Sequence, residues 1–488
     1  MTSKTVPLAI VLGFLAACAE PTVAPEQQFI EDVAAAMGGR GAIESTESLT
    51  IDADGRMLNI GQDLTPEAAT MEFDVSDYRQ EMDLLNDRSR TAFTRTPLFE
   101  YFRGPAPTRL ISGIDAAIAY DVSSDGSARR AHENVSADRR SAFYHHPLPL
   151  LRAALLDDVR VGNLRDVDGE RMADITLPSG KAFTLAVDAA SNLPSRIVST
   201  DHHYYLRNMQ RQTAFSDYEA VGNLLLPSVI SLSFDEFHVS RLLVSQQSLN
   251  DPTLDVSAPP EVLAAEPVTG TPPARITVEQ LGKGVWLLAG QSHHSVLFEF
   301  SDHVKLFEAP NETRTLALIE KAAELVPGKP LTHVINTHHH YDHSGGLRTA
   351  MANGLTIITQ AANEAFYRRM AEQPSTLVSD TLSRAPQPIR IETVEDERTY
   401  RDEAMTLTLY HVVGSLHSQS MLVAYLPEER LLVQADLFNP GRTTPQKFAP
   451  NLIANLEEWG LDVERVVPIH GGVIDFSEMN AAVEALAE

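Results

Sequence analysis

From about Ser48 to Asn250 the apolar pattern is mostly period two, and after that it stops. Phe183, Leu185 and Val187 alternate with Ala182, Thr184 and Ala186, and Ile230, Leu232 and Phe234 alternate with Ser231, Ser233 and Asp235. Turn pairs punctuate the run at Asp168-Gly169, Ser179-Gly180 and Gly222-Asn223. Period-two patterning broken by such pairs predicts a mostly antiparallel β meander. A helix is expected before it, over 28–37, stopped by Gly38-Gly39, and another within it, over about 137–156. Between 251 and 275 come Pro252, Pro259, Pro260, Pro267, Pro272 and Pro273 without periodicity, which suits an extended linker.

The chain then changes style. Short apolar strands are expected at Val285–Leu288, Ser295–Phe298, Val304–Phe307, Thr332–Asn336, Leu355–Thr359, Thr406–Val412, Met421–Tyr425 and Leu431–Gln434. Helices are expected between them, near 362–372, near 451–460, and after Asn311 with Leu316, Ile319, Ala323 and Val326 on the apolar face. Strands alternating with helices argue for a layered α/β domain over 276–488, separate from a β-rich domain over 28–250. A chain of 488 residues is also too long for one ordinary core.

The formal charge of −27 disfavours phosphate backbones, so no nucleic-acid partner is expected. The single cysteine, Cys18, closes an N-terminal segment with one early positive charge, Lys4, and an apolar run from Pro7 to Ala17. That run is too short to span a bilayer and suits a signal peptide over 1–17. Leu15-Ala16-Ala17-Cys18 resembles the lipobox of bacterial lipoproteins, which implies acylation of Cys18 and a polar tether over 18–27. Ala19 is not the aspartate associated with inner-membrane retention, so the expected location is the outer membrane, facing the periplasm. The β-rich region is similar to the curved sheet domains of bacterial lipoproteins that carry or sense lipids.

Chemistry concentrates in Thr337-His338-His339-His340-Tyr341-Asp342-His343-Ser344-Gly345-Gly346. It holds His-x-His-x-Asp-His just after an expected strand, and its four metal-competent side chains can converge only if the chain turns tightly there. Imidazole and carboxylate suit zinc, with iron or manganese as alternatives. With one cysteine, and that one at the N-terminus, no thiolate is available to the cluster. A Ser/His/Asp triad lacks a supporting G-x-S-x-G elbow.

This loop resembles the signature of the metallo-β-lactamase superfamily, as do His417 after Val412–Leu416, Asp436 after Leu431–Ala435, and His470 in Val467-Pro468-Ile469-His470-Gly471-Gly472. The resemblance covers about 276–488 and implies an αββα sandwich with two divalent metal ions. By position, His338, His340 and His417 hold the first ion, and Asp342, His343 and His470 the second. Asp436 bridges them, on the pattern of glyoxalase II and the quorum-quenching lactonases. Asp342 is implied to orient a bridging hydroxide that attacks a carboxylic ester, lactone or amide, β-lactams included. The same pair could cleave a phosphodiester or sulfate ester, but no basic pocket motif is evident. In a further alternative the β-rich domain is a lipid-binding or sensory module and the metal domain ancillary. The expected partner is a small-molecule substrate, and the sequence sets no oligomeric state. Where the family carries an aspartate at the end of an early strand, this chain has Glu308.

Other histidines carry less. His294, in Ser292-His293-His294-Ser295, is read as either a substrate contact or, more commonly, an exposed loop residue. His339 is expected to face away from the metals, since alternate residues of an extended loop point to opposite sides. Tyr341 is read equally as a packing residue or a hydrogen-bond donor. His145-His146 and His202-His203 lack a third ligand nearby and are expected to be ordinary.

Overall fold

The computed structural model describes Met1 and residues 24–99, 106–441 and 447–486. The expected signal segment, Cys18 and most of the 18–27 tether lie outside the described residues. Among the described residues, no helix is long and apolar enough to cross a membrane. The first helix, Pro25–Ala36, starts earlier than expected, because Pro25 has no N–H to lose at a helix's first turn.

The period-two region forms one sheet of thirteen strands, each neighbouring pair antiparallel. Its centre joins the first strand to the last: Ser48–Leu58 pairs with Phe237–Leu249 on one side and Glu72–Asp83 on the other. From that pair the sheet runs outward as successive hairpins to edges at Ala128–Arg130 and Arg160–Val167. Its inward face carries Leu49, Ile51, Ile175, Phe183, Leu185 and Val187, packed against Phe29, Ile30 and Val33 of the first helix.

The expected helix at 137–156 is two, Glu133–Phe143 and Pro147–Ala154. Pro147 cannot donate within a helix and disfavours helical backbone before it, so the chain restarts there with His146 as cap, its Nδ1 accepting from Leu148 N. The proline-rich segment after the sheet lies against its edge. Ala258 N donates to Asp115, Val262 of the short helix Pro260–Ala264 packs with Tyr120, and Val268 bridges to His132.

Residues 277–475 form two further sheets, of seven strands and six. Alternation within each strand divides its side chains between two cores. Phe307, Ile335, Ile358, Val433 and Val467 meet between the sheets. Their neighbours Leu306, Val334 and Ile357 turn outward under the helices Glu312–Leu325, Leu347–Ala352 and Glu364–Glu372. Leu432 and Val466 turn outward on the other side, under Ala449–Glu458 and Phe476–Glu484. The result is the αββα sandwich. Asn311 caps its helix as expected, accepting from Arg314 N, but the buried face is Thr315, Leu318 and Ala322, while Leu316 and Ala323 are exposed. The helix is turned because Thr315 must lie beneath Gly346, where even a Cβ would come within 2.0 Å of its hydroxyl.

Candidate metal centre

Strands Val304–Phe307, Leu331–Ile335, Leu431–Gln434 and Arg465–Pro468 run parallel within their sheets, so their C-terminal ends open on one edge of the sandwich. Glu308, the 336–343 loop, Asp436 and His470 follow those ends, and His417 arrives on the loop after Thr406–His411. Asp436 (φ 58°) and Glu308 (φ 72°) both hold left-handed backbone, which costs a side-chain-bearing residue roughly 1–2 kcal/mol. Each leaves its strand abruptly and aims a carboxylate inward.

The seven expected ligands converge. His338, His340 and His417 form one group of nitrogens, and His343, His470 and Asp342 belong to a second, which His293 joins. Asp436 lies between the groups. Its Oδ2 is 2.6 Å from His343 Nε2 and 3.5 Å from both His338 Nε2 and His417 Nε2, and its Oδ1 is 3.3 Å from His470 Nε2.

Partners that can only accept fix which ring nitrogens carry hydrogen. His343 Nδ1 donates to Glu308 Oε2 at 2.7 Å, and His470 Nδ1 to the Ser292 carbonyl at 2.8 Å. In the neutral rings both Nε2 atoms are therefore lone pairs, and they face each other at 3.3 Å. His340 is reversed: its Nε2 donates to the Asp63 carbonyl at 2.9 Å, and its buried Nδ1 has no protein partner. His338 Nε2 and His417 Nε2 face each other at 3.2 Å. Opposed lone pairs and an orphaned buried nitrogen are what a cation satisfies, so these residues fit divalent metal.

The local field agrees. Burial, reinforced by neighbouring imidazoles, holds His338 and His340 well below the ordinary imidazole pKa and takes His470 down to about 4, so these rings are neutral donors at pH 7. Burial would lower His343 too, but Asp436, Asp342 and Glu308 outweigh it and hold its pKa well above the ordinary value. Three carboxylates that retain a proton there would equally retain a metal. Burial raises the Asp436 carboxyl, but His343 and His417 more than offset it. Loss of surrounding water acts likewise on Asp342, and His343 and the His293 hydrogen bond hold it below the carboxylate range.

Four other residues stand as follows. His339 is outside both ligand groups, its Nδ1 3.4 Å from Ser418 Oγ. Tyr341 packs, stacked on Tyr205 with ring centroids 4.0 Å apart. His294 turns into its own loop, where Nδ1 accepts from Gly290 N. Its neighbour His293 reaches the site instead, with Nε2 3.1 Å from Asp342 Oδ2 and its ring 4.2 Å from that of His470. Nothing in two consecutive histidines signals which one faces inward.

In the first domain, His145 is satisfied by Thr213 and Ser199, and His203 accepts from Tyr205 N and Leu206 N. Among the described residues neither of these histidines, nor His146 or His202, belongs to a group that could hold a metal.

Three solved structures are similar to this chain. The metallo-beta-lactamase from Pontibacter korlensis is 17% identical over 44% of this chain and 100% of its own, with a TM-score of 0.34. That from Hirschia baltica is 19% identical over 44% of this chain and 97% of its own (TM-score 0.34). FIM-1 from Pseudomonas aeruginosa, in a mono-zinc form, is 18% identical over 43% and 95% (TM-score 0.33). A comparison with curated proteins returns no match. The family model described as the metallo-beta-lactamase superfamily matches residues 293–470, the stretch that carries all seven expected ligands, and this part of the chain is a domain of that superfamily.

Proposed function

We propose that the C-terminal domain is a di-metal hydrolase that cleaves a carboxylic ester, lactone or amide, β-lactams included. One observation carries the reading: side chains from four separate loops present their free nitrogens and carboxylate oxygens to two adjacent points, with Asp436 between them. Two divalent ions there, most simply zinc, would lower the pKa of water toward about 7 and polarise the scissile carbonyl.

The protein's part is orientation and proton handling. Glu308 and Ser292 hold His343 and His470 in one tautomer, and Asp436 supplies the negative charge that two cations need between them. The Asp342 side chain is 44% exposed, so it stands on the open side, where it can orient an attacking water and pass its proton to the leaving group. A cavity of about 210 Å³ opens beside His293, between Pro273, Arg275 and Asn311, and offers room for a small substrate. The reading includes attachment to the bacterial envelope through an acylated Cys18.

Elemental analysis and a hydrolysis panel test the activity. We expect about two zinc, iron or manganese equivalents per chain, and turnover of at least one β-lactam, lactone or aryl ester. A protein that carries no metal and takes none up would refute the assignment, and turnover confined to phosphodiesters would replace the substrate class.

A further inference from the structure

Four consecutive residues of the β-rich domain, Gly61 to Leu64, each touch the metal domain. They lie in the connection between strands Ser48–Leu58 and Glu72–Asp83. The Gly61 carbonyl accepts from Tyr341 N at 3.4 Å, and the Leu64 carbonyl from Gln419 N at 2.8 Å. Between them, Gln62 Nε2 donates to Asp342 Oδ1 at 2.9 Å, and the Asp63 carbonyl accepts from His340 Nε2 at 2.9 Å. The contacted residues are two expected ligands, the tyrosine between them, and Gln419, two residues beyond a third expected ligand, His417.

This strip is built to hold its shape. The buried Asp63 carboxylate accepts from Leu64 N, Thr70 N, Thr70 Oγ1 and Met71 N at 2.6–2.8 Å, which locks the turn and aims its carbonyl outward. Gly61 has φ +72°, and a Cβ there would lie 2.2 Å from the Tyr341 ring. Only glycine lets the loop approach this closely. The Tyr341 ring is in turn stacked on Tyr205, so the same domain holds it from both sides.

We infer that the β-rich domain completes the metal centre, with Gln62 and the Asp63 carbonyl as positioning groups for Asp342 and His340. This rests on the di-metal reading above. The two groups serve different ions. The Asp63 carbonyl keeps hydrogen on His340 Nε2 and so leaves Nδ1 for the first metal's set. Gln62 holds one oxygen of Asp342 while His293 holds the other, which fixes the carboxylate's angle toward the second set. A neutral amide does this without cancelling the negative charge. Partners of this kind typically alter metal affinity by roughly tenfold to a hundredfold.

Cobalt(II) titration of the full chain tests this, reading each equivalent's affinity, the visible absorption band, kcat, KM and thermal midpoint. Gln62→Met keeps the shape without the donor, and it should weaken the second equivalent about tenfold while leaving the first within about threefold. In the same variant kcat should fall about tenfold with KM within about threefold, at an unchanged midpoint. Asp63→Asn puts an amide among N–H donors and loosens the turn, so it should weaken the first equivalent instead. The inference is overturned if Gln62→Met keeps both affinities and the wild-type spectrum. It is equally overturned if both affinities fall together in step with the thermal midpoint, since that marks a prop for the fold and nothing more. A wild-type chain that binds no cobalt would overturn the hydrolase reading itself, a separate failure.

Discussion

Glu308 Oε2 lies 2.7 Å from His343 Nδ1, and neither side chain has any solvent exposure. The other oxygen, Oε1, accepts from Thr337 N at 2.8 Å, one residue before the first expected ligand. One carboxylate thus sets the tautomer of an expected ligand and the start of the loop that carries four of them.

Glu308→Gln tests that relationship. The amide keeps the volume but loses the charge, and its NH2 group must face one of two N–H donors. Metal affinity should fall roughly tenfold to a hundredfold, measured by competition with a chromophoric chelator. Wild-type affinity in a folded variant would show that Glu308 does not set the ligand.

Asp342→Asn separates chemistry from fold. It removes the proton acceptor on the open side and should cut kcat about a hundredfold or more. The three histidines of the first set do not depend on it, so about one metal should remain, by elemental analysis. Asp125→Asn, the same change in an exposed turn of the β-rich domain, is the control and should keep full turnover. Wild-type turnover in Asp342→Asn would defeat the assigned role.

Acid should destabilise the metal-free protein in a defined window. Burial takes His146 from 6.5 to about 3, and burial with His202 and Arg207 takes His203 to about 4. Both folded values are lowered, so between them and 6.5 the unfolded chain binds more protons and stability falls as pH falls. At ~1.4 kcal/mol per unit over the roughly 2.5 units from pH 6.5 to pH 4, His146 alone accounts for the loss of on the order of 3 kcal/mol. His343 has the opposite sign: its raised value stabilises below the unfolded pKa, and that contribution is lost as pH rises through the folded one. Urea midpoints should therefore drop from pH 6.5 to pH 4, and less steeply in His146→Asn, which keeps a capping oxygen. A flat profile for the wild type would contradict the burial argument.

Cys18→Ser should release the protein from membranes or block its maturation, read by fractionation and intact mass. Unchanged fractionation with an unshifted mass would remove the anchor from the proposed function.

The clustering of these side chains was legible because a short spacing and three strand-end contexts encode it, so neither His338 nor His470 needed a structure to be singled out. The period-two pattern likewise marked the thirteen-stranded sheet. What could not be read acts through the backbone or through choices between neighbours. Gly61, Asp63 and Leu64 reach the metal domain with carbonyl oxygens, which every residue type possesses. Gln62 finds Asp342 across 280 residues, with nothing in either sequence neighbourhood to pair them. His293 and His294 differ only in which way the chain turns between two strands. The buried face of the helix after Asn311 depended on Gly346, a residue from another element.

The pairing of the first β strand with the last also sets an order of events. Ser48–Leu58 has half its hydrogen-bonding edge vacant until Phe237–Leu249 has been synthesised, so the β-rich domain cannot close around its centre before then. Domains generally fold as units, N-terminal first, as the chain emerges. Every expected ligand lies beyond that point, from His338 onward. In that N-to-C order the Gly61–Leu64 turn takes its shape before the histidines that meet it do. The later half of the chain then folds against a surface that is waiting for it.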